Sequence, residues 1–330
     1  MANARKVENL KLRARILREV RSFFVERDFV EVETPLLVPN PGLEPYLVPF
    51  ETTWEPGMGG GKARTYYLPT SPEYHLKKAL ALGLPRVFEI SRSFRNGEKS
   101  RSHEPEFSML EWYRHPGGYA EIADDFASLL ARLGAEFAPA APWKRRQDLS
   151  VCEAFRSLAG IDLEAVLKGE GESLASRARA QGFASVQADD DFETAFHKVM
   201  LDAIEAKLGF EGPLFLWDYP SSMCALARLK PEKPYLCERF EVYFRGVELA
   251  NCFGELTDPV EQRVRCEADR GTRMKLYGKT PPIDEEFLSA LAKLDQPAGG
   301  IAVGLDRVVQ LLIGAERIQD VIAFPHADSL

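Results

Sequence analysis

The chain has 330 residues, 45% of them hydrophobic and 28% charged, with a formal net charge of −8, so it can bury a large core but offers no basic footprint for nucleic acid. It has no run of about 18 apolar residues and no apolar leader, which argues against a spanning helix and a secretory signal and predicts a cytoplasmic protein. The five cysteines are odd in number and widely spaced, without a Cys-x-x-Cys pair, so neither a disulfide framework nor structural zinc is expected.

In chain order, Leu10, Ala14, Leu17, Val20 and Phe24 recur at three- and four-residue steps and predict an amphipathic helix. The Gly-rich stretch 55–64 reads as a turn between two strands, because it lacks the spacing and context of a phosphate-binding loop. Ser71-Pro72-Glu73 starts the next helix, with serine at the N-cap and proline at the first position. Residues 86–95 and 106–114 alternate as strands and form a hairpin. Its tip carries Glu98, Lys99, Arg101, His103 and Glu104. By strand parity Phe107, Met109, Glu111 and Tyr113 share one face, and a carboxylate among aromatics suits a ligand-facing surface better than a plain core.

Residues 134–142 read as a linker and 150–210 as helices, with Asp189, Asp190 and Asp191 as the acidic start of one of them. Strands resume at 214–219 and 239–244, turn at Arg245-Gly246 and continue over 247–253. Asp258 then caps a helix, with Pro259 at its first position and Glu261 closing a capping box. Hairpins outnumber βαβ units. The fold class is therefore α+β, a mainly antiparallel sheet flanked by helices. Near the end, Gly300 to Arg307 leads from a strand into an apolar helical run (Leu305, Val308, Val309, Leu312), which puts Arg307 in a first turn where a cation opposes the helix dipole. That placement makes sense if a phosphate docks there.

Arg95 with its loop and Pro105-Glu106-Phe107 resembles motif 2 of the class II aminoacyl-tRNA synthetases, and Gly300–Arg307 resembles motif 3. The first helix with Asp28–Pro35 is similar to motif 1. Thr70–Glu73, Phe107–Arg114 and Gly246–Asn251 resemble the lysine-specific branch, and within it the short paralogues that ligate β-lysine to elongation factor P. The resemblance implies one catalytic domain over 1–330 with a helical insertion at about 120–210, no anticodon-binding domain, and a homodimer formed through motif 1.

The same resemblance implies ATP and Mg²⁺ as cofactors. Arg95 would hold the α-phosphate and the attacking carboxylate, and Arg307 the γ-phosphate. ATP would also meet Asn96, Gly97, His103, Glu104, Phe107, Glu248, Leu249 and Gly304, with Glu248 and Glu255 as the magnesium pair. Lysine or (R)-β-lysine would lie against Ser71, Pro72, Glu73, Tyr113, Asn251, Glu255 and Ala302. Gly97 and Glu104 depart from the family's glutamate and asparagine, and Glu98 is a candidate substitute for the first. Cys252 and Gly254 depart from its Asn-x-Phe-x-Glu run. Strict alternation places Glu248 opposite Asn251 and Glu255, so either a bulge at 252–254 re-aims the chain or the strand ends early. Three functions remain: a ligase modifying elongation factor P, with tRNA an unlikely partner; a reduced lysyl-tRNA synthetase; and a non-catalytic paralogue that binds amino acid or nucleotide.

Overall fold

Period-2 and period-3.6 apolar patterns recur along most of the computed structural model, which describes residues 2–57 and 60–326. The chain divides into two units, residues 1–118 with 256–330, and residues 119–255. The first segment runs α1 (Ala2–Val25), β1 (Val30–Glu31), β2 (Phe50–Trp54), β3 (Arg64–Leu68), α2 (Glu73–Ala81), β4 (Arg86–Phe94) and β5 (Glu106–Arg114). The second unit holds α3 (Tyr119–Phe137), β6 (Gln147–Ser150), α4 (Val151–Ala154), α5 (Leu163–Leu167), α6 (Leu174–Ala180), α7 (Phe192–Val199), β7 (Leu214–Pro220), β8 (Leu229–Lys230), β9 (Lys233–Phe244) and β10 (Val247–Gly254). The chain then returns to the first unit with α8 (Pro259–Tyr277), α9 (Glu285–Leu291), β11 (Gly299–Gly304) and α10 (Leu305–Ile313).

In the first unit β4 and β5 form the expected hairpin, in which Phe88 faces Trp112 and Glu89 faces Glu111. β11 adds antiparallel to β5, and the short β1 adds parallel to β4. One face of these strands is apolar and covered by α1. Phe24 stacks on Phe88 at 4.7 Å and meets Trp112 at 5.0 Å, a buried aromatic group that fixes the helix by area and by geometry. The helix is longer than the stripe from Leu10 suggests, because Ala, Arg, Lys and Glu ahead of it are good helix formers. The opposite face carries Glu89, Ser91, Ser93, Phe107, Met109, Glu111 and Tyr113. α2 packs against α9 through Tyr74 and Phe287, stacked at 4.0 Å. The Gly-rich turn joins β2 and β3 as a hairpin, as its composition predicts; Met58 and Gly59 at its tip lie outside the described residues.

In the second unit β9 is central, antiparallel to β10 and β7, with β6 parallel to β7 and β8 on β9. The predicted turn at Arg245 and Gly246 has φ of 53° and 72°, the left-handed pair of a two-residue hairpin turn that glycine tolerates without strain. Helices between Val151 and Val199 bury Phe155, Phe196 and Val199 against Leu216, Tyr219 and Tyr243. Asp191 caps α7 by accepting the Thr194 N–H, so the acidic triplet serves the helix terminus. Asp258 likewise caps α8, accepting from Val260 and Glu261. The Glu261 carboxylate pairs with Arg265 one turn on, so the expected capping box is replaced by an i, i+4 ion pair.

Candidate active site

The β4–β5 hairpin ends in the loop 95–105, and its first residue is Arg95. The guanidinium lies 5.2 Å from the centre of the Phe107 ring and 3.8 Å from Glu98. An arginine held between an aromatic plate and a carboxylate keeps its charge while its direction is fixed. Asn96 donates its N–H to Val48 O at 2.8 Å, and Gly97 follows at φ 89°. At such a φ a glutamate would be strained, which accounts locally for the departure from the family pattern.

Arg307 sits in the first turn of α10, where the strand-to-helix reading places it. Its Nη2 lies 2.6 Å from His103 Nε2, and His103 Nδ1 lies 2.8 Å from Ser100 Oγ. A guanidinium only donates, so Nε2 accepts and Nδ1 carries the proton to Ser100. Burial and the Arg307 charge both push the His103 pKa down, which keeps the imidazole neutral. Asp306, 1% exposed, accepts the Ser108 N–H at 2.7 Å and pairs with Arg13 at 2.5 Å. It therefore ties α10 to β5 and α1. The Glu104 carboxylate accepts Gln319 Nε2 at 2.7 Å and the His326 N–H at 2.9 Å, so it anchors the segment after α10 to the hairpin loop.

Around the start of α2 the structure gathers acids. The helix begins at Glu73 with Pro72 at the cap position, one residue later than the serine-cap reading, yet the Ser71 Oγ still accepts the Glu73 N–H as a capping serine does and also donates to Glu111 Oε1 at 2.6 Å. Glu73 pairs through Oε1 with Lys77 at 2.6 Å, a lysine that is 1% exposed, so a substrate ammonium at Glu73 would share this carboxylate with a protein cation. Glu111 is fully buried and also accepts from Tyr113 OH at 3.0 Å. Burial, reinforced by the Glu73 charge, pushes Glu111 up to about 8. Ala302 is the cross-strand partner of Glu111, and Gly304 that of Met109, so both lie on this acidic face.

In the second unit the register of β10 against β9 shifts between Glu248 and Ala250. Leu249 is the extra residue, which corrects the bulge expected at 252–254. Glu248 pairs with Tyr243, Asn251 with Glu241 and Phe253 with Arg239, so the bulge brings Glu248 onto the face of Asn251. Arg239 donates to Asn251 Oδ1 at 3.0 Å and to Glu241 at 2.7 Å. Tyr219 and Tyr243 both donate to Glu241 Oε2, at 2.5 and 2.7 Å. Asn251 thus belongs to a buried polar network. Glu255 is 1% exposed and bridges to Ala227. No group of three or more His, Cys, Asp or Glu side chains forms a metal cage among the described residues. Glu248 and Glu255 are oxygen donors of the kind magnesium takes when phosphate oxygens complete its shell.

Arg13, Lys77, Arg239 and Glu241 escape a sequence reading because their partners are set by tertiary contacts. Glu44 escapes it as well. It lies in a Pro- and Gly-rich loop without period, and burial together with the Glu73 charge raises it to about 7.

Residues 1–328 match the family of tRNA synthetases class II (D, K and N). A curated protein of Proteus mirabilis named elongation factor P–(R)-β-lysine ligase is 37% identical over 319 residues, covering 97% of this chain and 95% of its own. Proteins of the same name from Klebsiella pneumoniae and Yersinia pestis are 39% and 38% identical, each again over 95% of its own length.

Proposed function

Because the chain belongs to the class II tRNA synthetases (D, K and N), we propose that it is an ATP-dependent ligase that activates (R)-β-lysine and transfers it to a lysine side chain of elongation factor P. The observation that carries this reading is the identity of 37–39% over nearly the full length of relatives bearing that name. The buried acids at Glu73 and Glu111 support it, since a diamino acid needs carboxylates to pair its ammonium groups.

In the proposed reaction a substrate carboxylate oxygen attacks the α-phosphorus of ATP, the bond to pyrophosphate breaks, and an acyl-adenylate forms. A lysine ε-amine of the acceptor then attacks the carbonyl, an amide forms, AMP leaves and the amine loses a proton. Bringing anions together makes positioning and fixed positive charge the chief requirements. Arg95, with Asn96 and Gly97, receives the α-phosphate and the attacking carboxylate. Arg307 exchanges its neutral His103 partner for the γ-phosphate, and Phe107 offers a plate for the adenine. Leu249 and Gly304 approach the nucleotide through backbone. Ser71, Pro72, Glu73, Tyr113, Asn251 and Ala302 line the amino acid. Glu248 and Glu255 would hold Mg²⁺, which would neutralise phosphate charge when bound. A homodimer working in the cytoplasm belongs to the same reading. No helix among the described residues is long and apolar enough to cross a membrane.

The test is pyrophosphate exchange with ATP in the presence of (R)-β-lysine, followed by acyl transfer to purified elongation factor P or to tRNA. Exchange with labelling of the protein acceptor is expected, and tRNA charging without it overturns the acceptor. Arg95→Ala and Arg307→Ala should fold and each slow adenylation roughly 100- to 1,000-fold, the scale of losing one preorganised charge-stabilising group. Wild-type rates in either variant refute its phosphate role.

A further inference from the structure

Resting on the ligase reading, we propose that Glu44 is a substrate-recognition residue, whose carboxylate acts with that of Glu73 to seat the amino group nearest the reacting carboxyl end of the diamino acid. The backbone around Glu44 is fixed from α8. Arg273 Nη1 donates to Glu44 O at 2.8 Å and to Leu47 O at 2.9 Å, and Tyr277 OH donates to Pro45 O at 3.1 Å. The side chain then folds over Gly42, where a methyl group would lie 2.3 Å from Glu44 Oε2. That oxygen is sealed from solvent and takes no hydrogen bond, although an unsatisfied buried acceptor is costly.

Glu44 lines a cavity of about 10 Å³ with Asn40, Gly42, Ser71, Glu73 and Tyr74. That is room for one water-sized group, and an ammonium is water-sized. Asn40, Thr70, Ser71, Glu73 and Tyr74 line the cavity with carbonyl, hydroxyl and carboxylate oxygens; Lys77 Nζ takes Glu73 Oε1 at 2.6 Å, while Glu44 Oε2 keeps no partner, so a second cation fits and an anion does not. Direction follows from the backbone on either side of Arg95: Phe94 donates its N–H at 3.0 Å to the carbonyl oxygen of Pro69, a residue that lines this cavity, and Asn96 donates to Val48 O at 2.8 Å, four residues after Glu44. Arg95 is assigned to the carboxylate and α-phosphate, so Glu44 serves the amine at that end. Glu111 and Tyr113 lie further along β5 and remain for the distal amine.

The experiment uses the full chain and compares the KM of (R)-β-lysine with the inhibition constant of ε-aminocaproic acid, which keeps the carboxyl group and the distal amine but lacks the proximal one. Glu44→Gln should raise the KM of (R)-β-lysine roughly 10- to 100-fold, the scale of one charge-assisted hydrogen bond. The KM of ATP and the inhibition constant of ε-aminocaproic acid should stay within about twofold. Gly42→Ala keeps both charges but displaces the Glu44 carboxylate, and should shift the same ratio in the same direction. It decides the question if Glu44→Gln fails to fold. Equal losses for both ligands, or an unchanged ratio in both variants, overturn the Glu44 assignment alone. A wild-type chain that exchanges pyrophosphate with no diamino acid overturns the ligase reading and this assignment with it.

Discussion

Ala302 carries the finest distinction in the acidic pocket. It faces Glu111 across the β5–β11 ladder, so its methyl group stands beside the carboxylate assigned to substrate. Removing a methyl group from such a wall changes which placement of the amine fits, and a change of that size in a pocket is worth roughly 10- to 200-fold in discrimination. Ala302→Gly should therefore improve the use of α-lysine relative to (R)-β-lysine, measured as the ratio of kcat/KM values in adenylation; an unchanged ratio leaves Ala302 a packing residue. Ala302, Glu111 and Arg307 were legible in the sequence because each lies on or beside a strand whose parity fixes its face. Glu44 was not, since a loop of prolines and glycine carries no period from which a direction could be read. The Glu104 contacts were equally hidden, because its partners, Gln319 and His326, lie more than two hundred residues away in the chain.

Whole strands and helices were easier to read than their irregularities. The hairpin of β4 and β5 followed from alternation, but the bulge at Leu249 depends on how β10 seats against β9 and leaves no mark in residue type. The conflict over the face of Glu248 was visible, and its resolution was not. A similar tertiary device holds α10. Arg13 of α1 pairs with buried Asp306 and also donates to Ser108 Oγ at 2.8 Å, so one arginine joins a helix, a strand and the helix that carries Arg307. Arg13→Ala leaves the Asp306 carboxylate buried without its cation and should destabilise the fold by about 3 kcal/mol, read as a lower denaturant midpoint. Adenylation should slow as well, with Arg307 no longer held. A midpoint equal to wild type would mean that the Ser108 N–H alone satisfies Asp306.

For the molecule as a whole, the buried acids set the response to pH. Burial and the Glu73 charge raise both Glu44 and Glu111, to about 7 and about 8. Asp269 adds to the first shift and Arg95 opposes it; Glu89 adds to the second, and Ser71 and Tyr113 oppose it. The folded state therefore keeps protons that the unfolded chain has released above about 4.5. With more protons bound when folded, stability falls as pH rises, by on the order of 1 kcal/mol per pH unit and group until each folded pKa is passed. The free protein should be less stable at pH 8 than at pH 5.5, and Glu111→Gln should flatten that slope; a slope unchanged by the substitution would assign it to other groups. Arrangement in two units, 1–118 with 256–330 and 119–255, was less legible than either fold class or motif order, because it is a property of contact pattern and not of local sequence. The two raised acids also bear on how substrate charge is accommodated. On the ligase reading, a diamine entering this pocket should expel protons as it binds, its charge exchanged and not simply added, and the heat measured on mixing should vary with the ionisation enthalpy of the buffer that takes those protons up.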